Sequence, residues 1–163
     1  MLEFKNKFVT VIVNILLCVW QITQVIPALI LLAVFHNCEV YRNEDANVTV
    51  LKVNKGWFNG GACFSLGPVI FVTPNCKNEI CKHETGHSVQ SLIFGPLYHF
   101  IVSIPSIILY LYRAHYNKSD KWYHDHFPEN FADYLGKVPE GFFDQPQKPI
   151  LKYEFIDLTK NSK

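Results

Sequence analysis

From Phe8 to Phe35 the chain carries no charged residue, and that run constrains the fold more than any other feature. About 20 helical residues cross the hydrocarbon of a bilayer, so the run is long enough to span with tilt. Lys5 and Lys7 precede it, and Glu39, Glu44 and Asp45 follow it. This order favours a cytoplasmic N-terminus, although Lys52 and Lys55 blur the asymmetry. The run is longer than the apolar part of a secretory signal, and no small-x-small site follows. An uncleaved anchor over residues 1–36 is therefore expected. Thr10, Asn14, Gln21 and Gln24 fall on one side of such a helix. In lipid an uncharged polar stripe faces another helix. Thr10 alone can equally bond back along its own helix. Pro27 predicts a kink toward the far end.

A second apolar stretch, Ser88 to Tyr112, is less clean. Gly95-Pro96 and Pro105 interrupt it, and His99 lies inside it. A straight helix here would be about 37 Å long and could cross the bilayer. A helix broken at Gly95-Pro96 would turn back or lie within the protein. These stretches leave 18% charged against 49% hydrophobic residues in a chain of 163. That length bounds the chain to one domain. The apolar content excludes a disordered tail. A net charge of +1 lacks the basic excess of a nucleic-acid binder.

Between the stretches the pattern changes. Asn47 to Asn54 alternates apolar and polar residues, a strand signature. Gly56 and Asn59-Gly60-Gly61 mark turns. Ala62 to Leu66 and Val69 to Thr73 read as two short strands or one bulged strand around Gly67-Pro68. Together these predict a small antiparallel ribbon. After Pro139 a polar tail follows, in which Ile150 to Ile156 can add a strand. Among the five cysteines, Cys76 and Cys81 flank a short loop and can pair or remain thiols. Their spacing is not that of a zinc knuckle.

The chemical signal is His83-Glu84-Thr85-Gly86-His87. Residues four apart share a helix face, so both imidazoles can reach one metal ion. The intervening Glu84 can then take the proton of a metal-activated water. A chance match in this chain is on the order of 1%. Gly86 costs a helix about 1 kcal/mol relative to alanine, so local propensity does not explain it. A small residue there lets something approach closely. Zinc needs a third protein ligand if one position is to stay open. The downstream candidates are His99, His115, His124, Asp125, His126, Glu129 and Asp133. Glu129 and Asp133 are four apart and share a face. Glu129 can bind metal while Asp133 accepts the far N–H of a ligand histidine. Gly136 is placed to cap that helix. His124-Asp125-His126 reads as a solvated turn.

At these residues the chain resembles the gluzincin metallopeptidases, which pair H-E-x-x-H on one helix with a glutamate and an aspartate four apart on another. Glu129-Asn130-Phe131-Ala132-Asp133 is most similar to the membrane-embedded branch, the CAAX prenyl-protein proteases and the bacterial heat-shock membrane protease. The resemblance implies His83, His87 and Glu129 as zinc ligands, Glu84 as general base and Asp133 as the residue orienting a ligand histidine. A closer likeness, over roughly half the chain, is to small membrane proteins with Ser-Leu-Gly, H-E-x-G-H-x-x-Q-S, G-P-L-Y and P-S segments. Here these are Ser65-Leu66-Gly67, His83 to Ser91, Gly95 to Tyr98 and Pro105-Ser106. The peptidases are longer and have more transmembrane helices.

One metal site imposes a topological condition. A straight span over Ser88 to Tyr112 would put His87 and Glu129 on opposite sides of a membrane. The stretch must therefore bend back. The expected architecture is α+β: an N-terminal transmembrane helix, a small antiparallel ribbon, an H-E-x-x-H helix leading into a broken apolar hairpin, and a short Glu-x-x-x-Asp helix. The anchor covers residues 1–36, the zincin-like unit 37–138 and the tail 139–163. In such enzymes a peptide adds to an edge strand near the metal; Phe64, Ser65, Leu66, Val69 and Ile70 are the candidates. The expected function is hydrolysis of a peptide or membrane-protein segment by an integral membrane zinc enzyme, in contact with the lipid bilayer and not with nucleic acid. The alternative is a zinc-binding membrane scaffold without peptidase activity. One H-x-x-x-H box is too few for a di-iron lipid desaturase.

Overall fold

The computed structural model describes residues 5–34, 38–43, 48–53, 63–73, 76–144 and 156–157. The turns expected at Gly56 and Asn59–Gly61, and all but the end of the strand expected at Ile150–Ile156, lie outside these residues.

The charge-free run forms two helices, α1 (Lys7–Trp20) and α2 (Ile22–Val34), bent by 96° at Gln21. This corrects the expectation of one spanning helix. Among the described residues no single helix is long and apolar enough to cross a membrane. Asn6 starts α1 by accepting the Phe8 N–H on its side chain at 2.9 Å. The break falls at Gln21 and not at Pro27 because tertiary bonds hold the chain there. Trp20 Nε1 donates to the Leu92 carbonyl at 2.9 Å, and Ser91 Oγ donates to Gln21 Oε1 at 2.7 Å. Pro27 stays inside α2. The Thr23 carbonyl, which has no N–H to meet at a proline four residues on, accepts from His99 Nε2 at 3.1 Å. Gln21 and Gln24 of the polar stripe thus face another helix and its end. Thr10 bonds back to the Asn6 carbonyl at 3.2 Å.

The sheet has five strands: β1 (Cys38–Asn43), β2 (Val48–Val53), β3 (Cys63–Leu66), β4 (Val69–Val72) and β5 (Ile156–Asp157), in the order β3-β4-β2-β1-β5. It is mixed, which corrects the antiparallel expectation: β2 and β4 pair in parallel, Val50 opposite Ile70. Gly67, at φ +59°, makes the turn between β3 and β4. β4 explains the mixture, because a strand buried on both faces reads as a continuous apolar run. Val50, Ile70 and Val72 pack with Cys76 and Cys81 on one side; Leu51 and Phe71 pack with Ala28 of α2 on the other. A disulfide joins Cys63 to Cys76, while Cys81 keeps its thiol with Sγ 3.7 Å from that of Cys76.

α3 (Asn78–Phe94) carries the H-E-x-x-H residues and ends at Gly95. A 3-10 turn (Gly95–Leu97) and a π turn (His99–Ser103) lead into α4 (Ile104–His115), bent by 118° from α3. The second apolar stretch is therefore folded back, as one metal site requires. After α5 (Asp120–His124), α6 (Glu129–Gly136) lies against α3. Two glycines allow this approach. A Cβ on Gly86 would lie 1.8 Å from the Ala132 carbonyl oxygen, and one on Gly136 would lie 1.9 Å from that of Lys82. Gly136 is thus the last residue of α6 and not its cap. Lys137 takes the left-handed conformation instead, at φ 56°.

Candidate metal centre

α3 and α6 cross where their polar faces meet. Four-residue spacing puts His83 and His87 on the face toward α6, and Glu129 begins α6 opposite them. His83 Nε2 and His87 Nε2 lie 3.1 Å apart. Glu129 Oε2 lies 3.1 Å from the first and 3.3 Å from the second. All three residues are buried.

The outer ring nitrogens decide what these atoms carry. His83 Nδ1 lies 2.7 Å from Asp133 Oδ1, a carboxylate oxygen that can only accept. His87 Nδ1 lies 2.8 Å from Gln90 Oε1, and Gln90 Nε2 donates to the Pro128 carbonyl at 2.9 Å. That donation marks Oε1 as the amide's acceptor. Both imidazoles therefore hold their proton on Nδ1 when neutral, and both Nε2 lone pairs point at the Glu129 carboxylate. With both rings neutral, three lone-pair atoms converge; without a metal, burial lowers the His83 imidazole but its hydrogen bonds to Asp133 and Glu129 outweigh this and push it up to about 10, so a proton on its Nε2 is shared with Glu129. Around a tetrahedral ion bound at 2.0–2.1 Å, donors stand about 3.3 Å apart. The observed triangle fits. Glu129 Oε1 is buried and has no hydrogen-bond partner among the described residues. These residues could hold a metal ion.

Asp133 is shared. Its Oδ2 accepts from His124 Nδ1 at 2.9 Å, and Phe143 stacks on the His124 ring. His124 is consequently no part of a solvated turn, whereas His126 is exposed and donates to the Trp122 carbonyl at 2.6 Å. Burial by itself pushes the Asp133 and Glu129 carboxyls up. The hydrogen bonds from the histidines outweigh it and hold both below the usual carboxylate range. Burial holds His124 below the ordinary imidazole value, against the pull of Asp133.

A cavity of about 570 Å³ opens onto this centre. Glu84 lines it beside His83 and His87, with Ser65 of β3 on the same wall. Phe64, Ser65 and Leu66 also line it, on β3 at the edge of the sheet. Val69 and Ile70 do not share that edge; they lie in β4, paired on both sides. Tyr123 enters the cavity from α5, its hydroxyl 3.0 Å from Ser106 Oγ. His99 and His115 lie apart from the centre, His99 against α2 and His115 exposed beside Tyr116.

Gln90 stands in the H-x-x-Q-S segment and His124 among the downstream candidates, but their roles, bonding His87 Nδ1 and Asp133, are not read from the sequence. Tyr123 is not read at all: it acts from a separate short helix, and no local periodicity connects it to the ligands. A second donor group, the sulfurs of Cys63, Cys76 and Cys81, also converges and could hold a metal ion once the disulfide is reduced. Comparison with protein-family models, curated proteins and solved structures finds no match for this chain.

Proposed function

We propose that the chain is a zinc-dependent peptidase that works in contact with a lipid bilayer. The observation that supports this most is a free carboxylate, Glu84, beside a triangle of three converging lone-pair donors, all opening on one cavity. Two neutral imidazoles and one carboxylate suit zinc and leave a fourth position open. Zinc bound there supplies Lewis acidity, lowering the pKa of water toward about 7 and polarising a scissile carbonyl.

The protein's own groups do the rest. Glu84 takes the proton of the attacking water and passes it to the leaving amine. Ser65 lines the same cavity wall as the Glu84 carboxylate. Asp133 and Gln90 fix the tautomers and orientations of His83 and His87, so that neither ring can turn its lone pair away. Among the described residues β3 is an edge strand, and it offers an extended peptide that edge beside Glu84. A purely structural site has no use for Glu84, which separates this reading from a zinc-binding scaffold.

The test is Glu84→Gln in the full chain, purified in mild detergent. The variant is expected to keep its zinc, measured by elemental analysis, and to lose hydrolysis of a mixed set of fluorogenic peptides. Turnover surviving in this variant would sink the mechanism. Glu129→Ala is expected to lose the metal; full zinc in that variant would remove Glu129 as a ligand.

A further inference from the structure

We infer that the two bent helix pairs enter one leaflet of a bilayer as a wedge, so that no segment crosses and every outer end lies on the same side. This rests on the bilayer contact proposed above and gives it a geometry.

The two bends meet each other. Trp20 and Gln21, at the α1–α2 break, bond to Leu92 and Ser91, at the end of α3. Gln24 Nε2 donates to the Gly95 carbonyl at 3.0 Å. The Trp20 ring occupies the space a Cβ on Gly95 would need. Backbone that leaves helical geometry is tolerated in hydrocarbon only where protein covers it, and here each bend covers the other. Gln21, Gln24, Ser91 and Gly95 are all buried.

The outward side of the same bends is apolar. Val19 is 59% and Ile22 43% exposed at the first; Leu97 is 57% and Phe100 71% exposed at the second. Gly95 at the second bend is covered by Trp20, and the residues the two tips turn outward are Val, Ile, Leu and Phe rather than polar turn residues such as Asn or Asp. The apolar exposure continues along the arms, through Ile15 and Leu16 of α1, Leu29 and Ile30 of α2, and Ile108 and Leu111 of α4. Along α1, α2 and α4 charge appears only toward the outer ends, with Lys5 and Lys7 at the start of α1 and Arg113, Lys118 and Lys121 from the end of α4 onward. Such residues suit the headgroup level.

Length and angle agree. With the bends of 96° and 118° set symmetrically about the membrane normal, α1 and α2 each reach a depth of about 15 Å, while the arm His99–His115 reaches about 20 Å and the arm Asn78–Leu97 about 27 Å, so that the outer turns of these two arms emerge from the hydrocarbon. The hydrocarbon of one leaflet is about 15 Å thick. The occupant of this face is therefore the acyl region of a single leaflet, and the metal-site helix α6 stays with the outer ends.

The experiment uses the full chain with Cys18 and Cys38 replaced by serine, reconstituted from outside onto sealed phosphatidylcholine vesicles. Lys7→Cys, Lys118→Cys and Glu140→Cys, three exposed positions, are each treated with a membrane-impermeant maleimide. All three are expected to react to completion before the vesicles are opened. Protection of position 7 with reaction at 118 and 140 would mean that α1–α2 crosses, and would overturn the wedge while leaving bilayer contact intact. Failure of the unsubstituted chain to float with the vesicles would overturn the bilayer reading itself. Phe100→Asp supplies a second measurement. A charge at the tip is expected to weaken vesicle binding roughly a hundredfold, whereas Tyr134→Asp, at a residue 77% exposed on α6, is expected to leave it unchanged. Equal binding by both variants would remove Phe100 from the inserted face and overturn the wedge.

Discussion

α3 buries polar groups at both of its ends, and the two ends do different things with them. At the Gly95 end, Ser91 and the last carbonyls meet Trp20, Gln21 and Gln24, and nearly every donor finds an acceptor. Gln24 Oε1 has no hydrogen-bond partner among the described residues. At the His83 end, Asp133 and Gln90 take up the Nδ1 protons, and with both rings neutral the leftover is three convergent lone-pair atoms, one on a carboxylate. Both ends are tied down by partners far away in sequence. A spare neutral oxygen makes a junction between helices. A spare triangle of donors around negative charge makes a place for a cation.

If the donor triangle exists only because α3 and α6 touch, separating them should destroy it. Gly86→Ala is the sharpest way to break it. The added methyl would meet the Ala132 backbone, which no rotamer change can relieve. We expect a loss of about 3 kcal/mol of stability or more, with metal no longer retained. Thermal unfolding and elemental analysis of the purified variant check it. Unchanged metal content would mean that the two helices can part without disturbing the donors.

The next effect acts on one donor through its partner. Asp133→Asn removes the charge that holds the Nδ1 protons of both His83 and His124, and its amide can accept from only one of them with its single oxygen. Zinc affinity should fall by about 10- to 100-fold, measured by competition with a chelator, while the junction at Ser91 is untouched. An unaltered affinity would make Asp133 a packing residue.

How much of this was legible beforehand follows the range of each pattern. His83 with His87, and Glu129 with Asp133, are pairs four apart. Helix geometry alone puts each on one face, so the candidate ligands and their helices could be read from the chain. The fold-back of the second apolar stretch followed from requiring those pairs to share one ion. The break at Gln21 could not be read, because its cause is a set of bonds from α3 some seventy residues away, and Pro27 offered a false local signal. The parallel pairing of β2 with β4 was hidden for the same reason. Val69 to Val72 is simply apolar, and only burial under both α2 and α3 tells it from an edge strand.

Acid should separate the two ends as well. In the metal-free protein Glu129 and Asp133 are held below their ordinary values of 4.5 and 3.8 by the histidines. A carboxyl depressed by folding adds stability that is fully present above its unfolded value and is lost as pH falls through its folded one. Melting temperature of the stripped protein should therefore decline as pH drops below about 4.5. The decline should be shallower in Asp133→Asn, which lacks one of the two groups. A flat profile would show that neither carboxylate is paired as described.

The smallest expected effect bears most directly on whether the junction is only a junction. Ser91→Ala leaves Gln21 Oε1 without the 2.7 Å donation it now receives, deep between α1 and α3. Losing a buried hydrogen bond of this kind costs about 1 kcal/mol. Gln21 is neutral, and its remaining bond to the Leu17 carbonyl, at 3.4 Å, stays within its own helix. Nothing in that loss changes the direction of a lone pair at His83 or His87, since the ligand end of α3 is held by α6 and not by α1. Melting temperature should fall slightly, with zinc affinity and peptide turnover unchanged. If zinc affinity fell too, the two ends of α3 would be mechanically coupled. The bend held by Trp20 and Gln21 would then help to set the spacing of the donors.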